Sequence, residues 1–588
     1  MTRKSRGVTF NRNPLLARDL PVWRPRAVLL ALLAGSFALV GRAAYLQGVN
    51  DDFLQAKGES RFSRVLQMPA NRGRILDRNG DVLAISTPVR SVAWSPPPPG
   101  RDGEPAARPE PAKVRQLAAL LELDPRDLSR RLNETSDFTY LKRQLAPAVA
   151  EKVAALGIAG LHLENEYRRF YPGGEVTAHV LGFTGIDDNG QEGVELAFDD
   201  QLAGKPGSRR VIKDRRGRIV EDVESIRLPQ EGRDLHLSID SKIQYLAYSA
   251  LREAVTEHKA RAGGVVVLDA RSGEVLALVN SPSFNPNDRA SLTGAQLRNR
   301  ALTDTYEPGS TMKPFTAAMA LEQGKYRFDT IVDTGDGRMT IGNATIHDTK
   351  KHGLMTVAEV IQKSSNVGAA SMALAFEPGV MWGYFDRLGF GAPLGLGFPG
   401  EAGGRLRPAR SWKPIEQATM SYGHGISVTL MQMAHAYLSL ARDGDVVPVT
   451  LLSRPGAPIR GQRVYSPQTA REVRSMLELV VQEGGTAPMA QVAGYRVGGK
   501  TGTAHKIEGG RYASKYVSSF VGIAPMSDPR IVVAVMVDEP SNGKHYGGSV
   551  AGPVFSQVVA GTLRSIGLAP DAPLVPMQLA QQNTVGKP

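Results

Sequence analysis

The most uniform hydrophobic stretch of the chain lies close to its N-terminus. Residues 27–41, AVLLALLAGSFALVG, carry no charged side chain, and the low-polarity sequence AAYLQ follows Arg42. A helix needs about 20 apolar residues to cross a bilayer, and a long basic side chain such as Arg42 can reach the lipid headgroups from the outer end of the helix. The pattern therefore predicts a transmembrane anchor over residues 27–47.

The segment in front of this stretch is strongly basic. Residues 1–26 contain seven lysines and arginines and a single acid, Asp19. Because basic flanks remain in the cytoplasm, we predict a cytoplasmic tail over residues 1–26, one membrane crossing, and the rest of the chain outside the cytoplasm. A nucleic-acid-binding arm, a buried core helix and a cleaved signal peptide are alternatives. No nucleic-acid motif accompanies the arm, a core helix needs no basic flank, and the small-residue cleavage site is poor.

Beyond the anchor the hydrophobic spacing becomes short and mixed. In residues 48–236, the pair Asn79 and Gly80 lies between two apolar stretches, which predicts a tight β-hairpin. The segment 95–111 contains seven prolines and is typical of a surface insertion or linker. Helical apolar spacing over residues 112–156 predicts short helices.

The pattern changes again near residue 235 and indicates a larger unit over residues 237–567. In chain order, it predicts a helix capped by Asp240, an antiparallel hairpin over 263–280, strands over 516–524 and 531–537, and a helix over 550–566. Helices thus border antiparallel strands at both ends, which is an α+β arrangement rather than alternating βαβ units. A predicted tail follows over residues 568–588.

Composition narrows the choice of protein class. The 588 residues are 42% hydrophobic and 22% charged, which is ordinary for globular domains and argues against a polytopic membrane protein and wholesale disorder. The absence of cysteine excludes a disulfide scaffold, thiolate metal sites and a cysteine nucleophile. Nearly half of the net charge of +13 lies in the N-terminal tail, so this charge favours membrane topology over nucleic-acid binding.

The first candidate for chemistry is YEPGSTMKPF, residues 306–315. Pro308 and Gly309 break the chain ahead of a helical pattern, so Ser310 lies at a helix N-terminus and Lys313 follows on the same face one turn later. A serine hydroxyl needs an adjacent base to act as a nucleophile, and lysine can be that base if burial lowers its pKa. Taken alone, the alternative of a helix-capping serine and a solvated lysine is favoured.

The second candidate is QKSSNVGAA, residues 362–370. Ser364 and Asn366 stand two residues apart, between an apolar segment and a run of small residues. A turn at this place could point the hydroxyl and the amide into one cleft. A Ser-Ser-Asn helix cap is the simpler interpretation when this segment is taken alone.

The third candidate is RVGGKTGTAHK, residues 496–506, ahead of the predicted strand pair. On an edge strand, an ammonium group and two hydroxyls can bind a carboxylate, and glycine allows a close approach. The residues concerned are Lys500, Thr501, Gly502 and Thr503. The same letters match a phosphate-binding loop, but a strand rather than a helix is predicted to follow, and ATP is not available outside the cytoplasm.

The order of the three segments along the chain is more specific than any one of them. With these segments, the chain resembles the class B penicillin-binding proteins, most of all the division-specific FtsI type. RGRILDRNGDVLA, GQEGVELAFDDQLAGKPG and KHYGGSVAGPVF also carry the resemblance. It implies an elongated stem, or pedestal, domain of the dimerisation type over residues 48–236. It also implies a penicillin-binding transpeptidase domain over residues 237–567, with a central antiparallel sheet flanked by helices.

The resemblance further implies the mechanism of a peptidoglycan D,D-transpeptidase. Ser310 would attack the D-Ala–D-Ala carbonyl of a stem peptide, Lys313 would take its proton, and Ser364 would relay a proton to the departing amine. Asn366 would bind the substrate amide. The terminal carboxylate would be held by Lys500, Thr501 and Thr503, and Gly502 would allow the substrate to approach closely. Backbone N–H groups of Ser310 and Thr503 would form the oxyanion hole, and a neighbouring stem-peptide amine would resolve the acyl-enzyme to cross-link septal cell wall.

Other expectations follow from the resemblance. The enzyme would be a single-pass protein of the inner membrane at the division site, with its N-terminus cytoplasmic and its catalytic domain periplasmic. Its partners would be peptidoglycan stem peptides, an FtsW-type glycan polymerase and other divisome membrane proteins, with β-lactams as covalent inhibitors and no nucleic acid. No cofactor is expected, and no metal, since His347 and His352 lack a third ligand. The chain has His424 and Leu430 where the family usually has Tyr and Pro.

Two other functions remain open. A serine β-lactamase or D,D-carboxypeptidase shares the acyl-serine chemistry, but the stem and the anchor argue against it. Class A β-lactamases use a glutamate for deacylation, and none of Glu377, Glu401 and Glu416 stands in the usual arrangement with an asparagine, so we expect a long-lived acyl-serine. The second alternative is a non-catalytic β-lactam-binding division scaffold. A β-lactam sensor would need a cytoplasmic output domain, for which residues 1–26 are too few.

Overall fold

A computed structural model of the chain describes residues 21, 23–46, 63–97, 109–134, 138–213, 219–290, 292–456 and 459–573. Its first element, α1 (Trp23–Ala44), is a 22-residue helix with no buried residue. Among the described residues it is the one helix long and apolar enough to cross a membrane. The predicted anchor, residues 27–47, begins inside this helix and extends past its C-terminal end. The helix is thus compatible with a single-pass membrane anchor.

The stem domain is built on two sheets joined by short helices. Its elements are β1 (Ser63–Met68), β2 (Ile75–Leu76), β3 (Val82–Trp94), α2 (Pro111–Leu121), α3 (Pro125–Glu134), β4 (Thr139–Leu145), α4 (Pro147–Ala155), β5 (Leu161–Phe170), α5 (Ala178–Leu181), α6 (Gly193–Ala197), α7 (Asp199–Leu202), β6 (Gly207–Lys213), β7 (Ile219–Arg227) and β8 (Leu235–His236). One sheet has the order β1-β6-β7, and the other has the order β4-β3-β2-β8 with β5 also paired to β3. The pairs are antiparallel, apart from the parallel pair of β2 and β8.

The predicted hairpin joins β2 to β3. Gly80 in its turn has a φ of +91°, a conformation that glycine adopts without strain, and Asp77 closes the turn by accepting the backbone N–H groups of Asn79 and Asp81. Within residues 112–156 the predicted short helices are present, but β4 is a strand. Its pairing with β3 and its content of Thr and Tyr outweigh the local helical spacing.

The larger domain surrounds a five-stranded antiparallel sheet. Its elements are α8 (Ser241–Glu257), β9 (Ala262–Asp269), β10 (Val275–Ser281), α9 (Gly294–Leu297), α10 (Arg300–Thr303), α11 (Lys313–Glu322), β11 (Ile331–Asp333), β12 (Arg338–Ile341), β13 (Ala344–His347), β14 (Leu354–Thr356), α12 (Val357–Lys363), α13 (Asn366–Leu374), α14 (Pro378–Arg387), α15 (Pro414–Met420), α16 (Leu430–Ala441), β15 (Asp445–Val446), β16 (Gln462–Arg463), α17 (Pro467–Val481), β17 (Gly498–Glu508), β18 (Arg511–Ala524), β19 (Ile531–Asp538) and α18 (Gly547–Ser565). The sheet order is β10-β9-β19-β18-β17. Helices α8 and α18 pack on one face and α16 and α17 on the other, which is why every residue of β19 is buried. The predicted α+β class is confirmed.

The ends of this domain follow the predicted pattern closely. Asp240 caps α8 by accepting the N–H groups of Lys242 and Ile243, and the predicted hairpin, strand pair and final helix correspond to β9–β10, β18–β19 and α18. The chain passes from the stem into this domain at β8, which pairs with β2, and Leu237, which bridges to Leu452. Most of the proline-rich segment, residues 98–108, and most of the tail, residues 574–588, lie outside the described residues.

Candidate active site

Ser310 lies in a single turn of 3₁₀ helix, Gly309–Met312, that leads directly into α11. The turn packs closely against a neighbouring loop, because a Cβ on Gly423 would lie only 2.2 Å from the Gly309 carbonyl oxygen. Lys313 is the first residue of α11, and its Nζ lies 3.0 Å from Ser310 Oγ. The sequence prediction of a serine at a helix N-terminus with a lysine one turn later is confirmed, with the difference that the first turn is 3₁₀.

Ser364 lies where the chain turns from α12 into α13. Its φ of +64° is uncommon for a residue with a Cβ, and in this conformation both its carbonyl and its hydroxyl meet Lys313. The Lys313 Nζ lies 2.5 Å from the Ser364 carbonyl oxygen and 3.1 Å from Ser364 Oγ. Ser365 caps α13 by accepting the N–H of Gly368. The Ser-Ser-Asn segment is therefore both a helix cap and part of the catalytic cleft.

Lys500 reaches the same point from β17, the edge strand of the central sheet, as predicted. Its Nζ lies 2.9 Å from Ser364 Oγ and 3.2 Å from Thr501 Oγ1. The Thr501 hydroxyl is also 3.1 Å from the hydroxyl of Thr486. The Ser364 hydroxyl thus lies between two lysine nitrogens, within hydrogen-bond distance of both.

Gly502 and Thr503 set how closely β17 approaches the Ser310 turn. A Cβ on Gly502 would lie 2.9 Å from the Pro308 carbonyl oxygen and 2.3 Å from Ser519 Oγ, so the strand can pack here only with glycine. Thr503 Oγ1 accepts the N–H of Gly547 at the start of α18. From Gly498 onwards the segment is a strand, which agrees with the rejection of a phosphate-binding loop.

The two lysines are fully buried, each with 0% exposure, and their hydrogen-bond partners are hydroxyl and carbonyl oxygens. Burial lowers the pKa of Lys313 well below its ordinary value, and the positive charge of Lys500 lowers that pKa further. Burial also lowers the pKa of Lys500 to about 7. Because an uncharged amine can accept a proton, Lys313 is suited to take the proton of the Ser310 hydroxyl.

Asp348 is a functional candidate that the sequence analysis did not find. Its carboxylate follows β13 and accepts the Ser365 hydroxyl at 2.6 Å and the N–H groups of Asn366 and Val367 at 2.5 and 3.0 Å. It thereby fixes the start of α13 and with it the position of Ser364. Its negative charge also raises the pKa of Lys313 against the larger effects of burial and Lys500. An isolated aspartate in a loop has no sequence pattern that marks such a role.

Of the five predicted catalytic residues, four are linked by hydrogen-bond contacts and the fifth has a different partner. Ser310, Lys313, Ser364 and Lys500 form one connected cluster, whereas the Asn366 side-chain amide donates to the carbonyl of His347 at 2.9 Å. Two of the three glutamates considered for deacylation have partners elsewhere: Glu401 accepts the N–H groups of Leu394 and Leu396, and Glu416 pairs with Arg407.

Comparisons with known proteins agree with this geometry. Residues 263–560 match the penicillin binding protein transpeptidase domain, and residues 67–237 match the penicillin-binding protein dimerisation domain. The chain belongs to the penicillin-binding protein family. The family resemblance drawn from the three segments is confirmed, and this penicillin-binding protein is a serine acyl-transfer enzyme.

Several relatives of this penicillin-binding protein match most of its length. It is 43% identical over 551 residues to the probable peptidoglycan D,D-transpeptidase PenA of Neisseria gonorrhoeae, covering 93% of each chain. It is 39% identical over 551 residues to the peptidoglycan D,D-transpeptidase FtsI of Escherichia coli K12, covering 94% of this chain and 93% of the relative.

Two solved structures are also similar to this penicillin-binding protein. The apo transpeptidase domain of Burkholderia pseudomallei penicillin-binding protein 3 is 51% identical, with a TM-score of 0.54, and covers 57% of this chain and 98% of its own. A peptidoglycan synthetase from Bifidobacterium adolescentis is 25% identical, with a TM-score of 0.69, and covers 87% of this chain and 98% of its own. The second match therefore includes both the stem and the catalytic domain.

Proposed function

We propose that this protein is a peptidoglycan D,D-transpeptidase of the FtsI type in which Ser310 is acylated and Lys313 is its base. The observation that carries the proposal is the 3.0 Å separation of Lys313 Nζ and Ser310 Oγ at a fully buried lysine whose pKa is lowered. A serine next to an uncharged amine is an activated nucleophile. The names of the relatives PenA and FtsI support the same reaction class.

In the first half-reaction, Ser310 Oγ forms a bond to the carbonyl carbon of the penultimate D-Ala of a stem peptide, and Lys313 takes the hydroxyl proton. The amide C–N bond then breaks, and the departing D-Ala amine takes a proton from the Ser364 hydroxyl. Ser364 can recover a proton at once, because its Oγ lies 3.1 Å from Lys313 Nζ and 2.9 Å from Lys500 Nζ.

The third segment holds the end of the donor peptide. Lys500, Thr501 and Thr503 bind the terminal carboxylate, and Gly502 keeps the strand close to the Ser310 turn. The N–H groups of Ser310 and Thr503 form the oxyanion hole, in which one donor contributes roughly 3 kcal/mol to transition-state stabilisation. In support, a Cβ on Gly309 would lie 3.8 Å from the Thr503 nitrogen, so the two N–H groups belong to neighbouring pieces of backbone. Asn366 binds the substrate amide after its side chain leaves His347.

The acylated residue is tested by labelling the purified protein with a fluorescent penicillin. The label should be covalent and should map to the peptide containing Ser310, and Ser310→Ala should abolish it while the fold persists. Ser475→Ala, which removes an exposed hydroxyl on α17, is the matched control and should label normally. Labelling that survives in Ser310→Ala would refute the assignment.

A β-lactamase would give the same label but would lose it quickly. We expect a long-lived penicilloyl-Ser310, because two of the glutamates considered for deacylation, Glu401 and Glu416, have partners elsewhere, and general-base assistance is typically worth about 10²–10⁴-fold. The intact mass of the acyl-protein, followed after free drug is removed, measures its lifetime. Loss of the adduct within seconds, with repeated turnover of penicillin, would place the protein among the β-lactamases.

The remaining parts of the proposal concern location and partners. The N-terminus is cytoplasmic and the catalytic domain periplasmic, at the division site, and α1 with the stem binds a polytopic glycan polymerase of the FtsW kind. A C-terminal reporter that fluoresces only in the cytoplasm should therefore be dark.

Replacing residues 27–47 by an unrelated anchor should impair division but leave penicillin labelling intact. Normal division with the foreign anchor would exclude α1 as the partner contact.

A further inference from the structure

Glu307 is a nearly buried carboxylate three residues ahead of Ser310. Its side chain is 9% exposed. One oxygen accepts the N–H of Gly425 at 2.7 Å, and the other accepts the hydroxyl of Tyr512 at 3.1 Å. The Nδ1 atom of His424 lies 3.8 Å from this second oxygen, which is too long for a hydrogen bond. A carboxylate can accept about four hydrogen bonds, so Glu307 has capacity left on the side that faces Tyr512 and His424.

Among the residues that the structure describes, this carboxylate has no lysine or arginine partner, which is unusual for a group with so little exposure. Within the described ranges, no lysine or arginine forms an ion pair with Glu307, and its only charged-type neighbour at that distance is His424. Burial lowers the pKa of His424, so its imidazole is uncharged at neutral pH. The buried glutamate of the stem has a different environment, because Glu195 is paired with two arginines. Burying a carboxylate without a cation is costly, and a cation from a ligand would remove that cost.

The carboxylate also lies next to the reacting serine. The N–H of Gly309 donates to the carbonyl of Gly423 at 3.2 Å, so the loop that carries His424 packs on the Ser310 turn. Lys313 is near enough to His424 to lower its pKa. Tyr512 belongs to β18, which pairs with the strand that carries the third segment. The three side chains are therefore carried by segments that adjoin the Ser310 turn and the strand of the third segment, and His424 lies within the electrostatic influence of Lys313.

We propose that Glu307, together with Tyr512 and His424, binds the ammonium group of the acceptor peptide whose amine resolves the acyl-enzyme. This inference rests on the proposed transpeptidase function. A primary amine is protonated in neutral solution, so the second substrate brings the cation that the site lacks. Glu307 would thus determine the choice of amine over water.

The proton and bond changes of this step balance. The amine nitrogen forms a bond to the acyl carbonyl carbon while the bond from that carbon to Ser310 Oγ breaks. In becoming an amide the ammonium nitrogen loses two protons, one to His424 and one, by way of Lys313, to Ser310 Oγ. Glu307 raises the pKa of His424, Lys313 and His505 lower it, and the rings of Tyr422 and Tyr512 face the imidazole.

The test measures how one acyl-enzyme divides between amine and water. A D-alanyl thioester serves as donor and Nα-acetyl-lysinamide, whose side-chain amine is its only charge, as acceptor. Thiol release reports acylation, and the ratio of amide to acid product reports the partition. In Glu307→Gln this ratio should fall by about tenfold or more, as expected when a charged hydrogen bond is lost. Glu508→Gln, which removes a carboxylate from an exposed ion pair on the same hairpin, should keep the ratio of the parent protein.

An uncharged acceptor separates ammonium binding from general damage to the site. O-methylhydroxylamine is unprotonated at neutral pH, so its partition ratio should be the same in Glu307→Gln as in the parent. The inference would be overturned if Glu307→Gln lowered the ratio of amide to acid product equally with both acceptors, or did not lower it with the charged acceptor. His424→Gln should lower the ratio for the charged amine and remove the dependence of that ratio on pH below 6.5, since burial lowers the pKa of His424 from this ordinary value. If instead the parent protein fails to acylate at Ser310, the proposed function itself fails, and the two failures are therefore distinguishable.

Discussion

Two buried charge clusters in this protein meet the cost of burial in opposite ways. In the stem, Arg72 and Arg169 each donate to one oxygen of Glu195 at 2.7 Å, and Arg72 also donates to Asp199 at 2.7 Å. In the cleft, Lys313 and Lys500 are equally buried, but their partners are uncharged oxygens. One cluster matches opposite charges, whereas the other places two cationic groups beside each other.

The difference is visible in the direction of the pKa shifts. Burial alone would lower the pKa of Arg72, but Glu195 and Asp199 outweigh it and hold that pKa above its ordinary value. In the cleft burial prevails, and the pKa values of both lysines fall. A buried cation that is paired with a carboxylate stays ionised and can hold two parts of a fold together. A buried lysine without such a partner loses its proton more easily and can then accept one. The proposed chemistry therefore depends on buried lysines that have no counter-ion in hydrogen-bond contact among the described residues.

The largest effect is expected when the proposed base in the cleft is removed. Lys313→Met should lower the rate of acylation by fluorescent penicillin by about 10²–10⁴-fold, the usual contribution of a positioned base. Its unfolding temperature should stay the same or rise, because a buried amine without a counter-ion is replaced by an apolar chain of similar length. A normal acylation rate would mean that another base acts, and a large fall in the unfolding temperature would mean that Lys313 is structural.

The corresponding change in the stem removes the carboxylate from its buried ion-pair cluster. Glu195→Ala removes the carboxylate that pairs with Arg169 and leaves Arg72 with Asp199 alone, and breaking a buried ion pair from one side typically costs about 3–5 kcal/mol. Denaturant unfolding of the stem should show this loss, while acylation by the folded fraction should change little. Glu164→Ala, at an exposed position on β5, is the control and should be close to the parent in stability. An equally stable Glu195→Ala variant would contradict the structural role of the cluster.

A smaller effect should follow from Asp348→Asn, which keeps the shape of the side chain but removes its charge. Acylation should fall by about tenfold, because one charge-assisted contact to the start of α13 is weakened. Since Asp348 raises the pKa of Lys313, its loss should also shift the acidic limb of the acylation–pH profile, where Lys313 loses its proton, to lower pH. A slower rate with an unmoved profile would show that Asp348 acts on position alone.

The last prediction concerns the gradual change of stability with pH, which is small over any one pH unit. The pKa of Lys500 is about 7 in the folded protein, against an ordinary value of 10.5, so between these values the unfolded chain binds a proton that the folded chain does not. Stability should therefore rise with pH over this window, by at most about 1.4 kcal/mol per pH unit for one group. Unfolding of the parent and of Lys500→Met across this range isolates the contribution, and identical slopes would contradict the lowered pKa.

The features that the sequence predicted correctly are those set by residues close together in the chain. Ser310 and Lys313 are close because they lie one turn apart, and the Asn79-Gly80 hairpin and the β9–β10 hairpin are local too. Asp348 and Glu307 escaped prediction, because their roles depend on contacts made across the fold by single acids without a repeating pattern. The direction of the Asn366 side chain and the strand β4 likewise follow from tertiary neighbours.

The edge position of β17 has a consequence for solubility. An unpaired strand edge can add a strand from any other chain, including a second copy of the same protein. Here the inner half of β17 is buried in the cleft, and its outer half is exposed. That outer half carries the ion pairs Lys506–Asp538 and Glu508–Lys515, which oppose the docking of a foreign strand. The protein can thus keep an open sheet edge for its substrate without offering the same edge to aggregation.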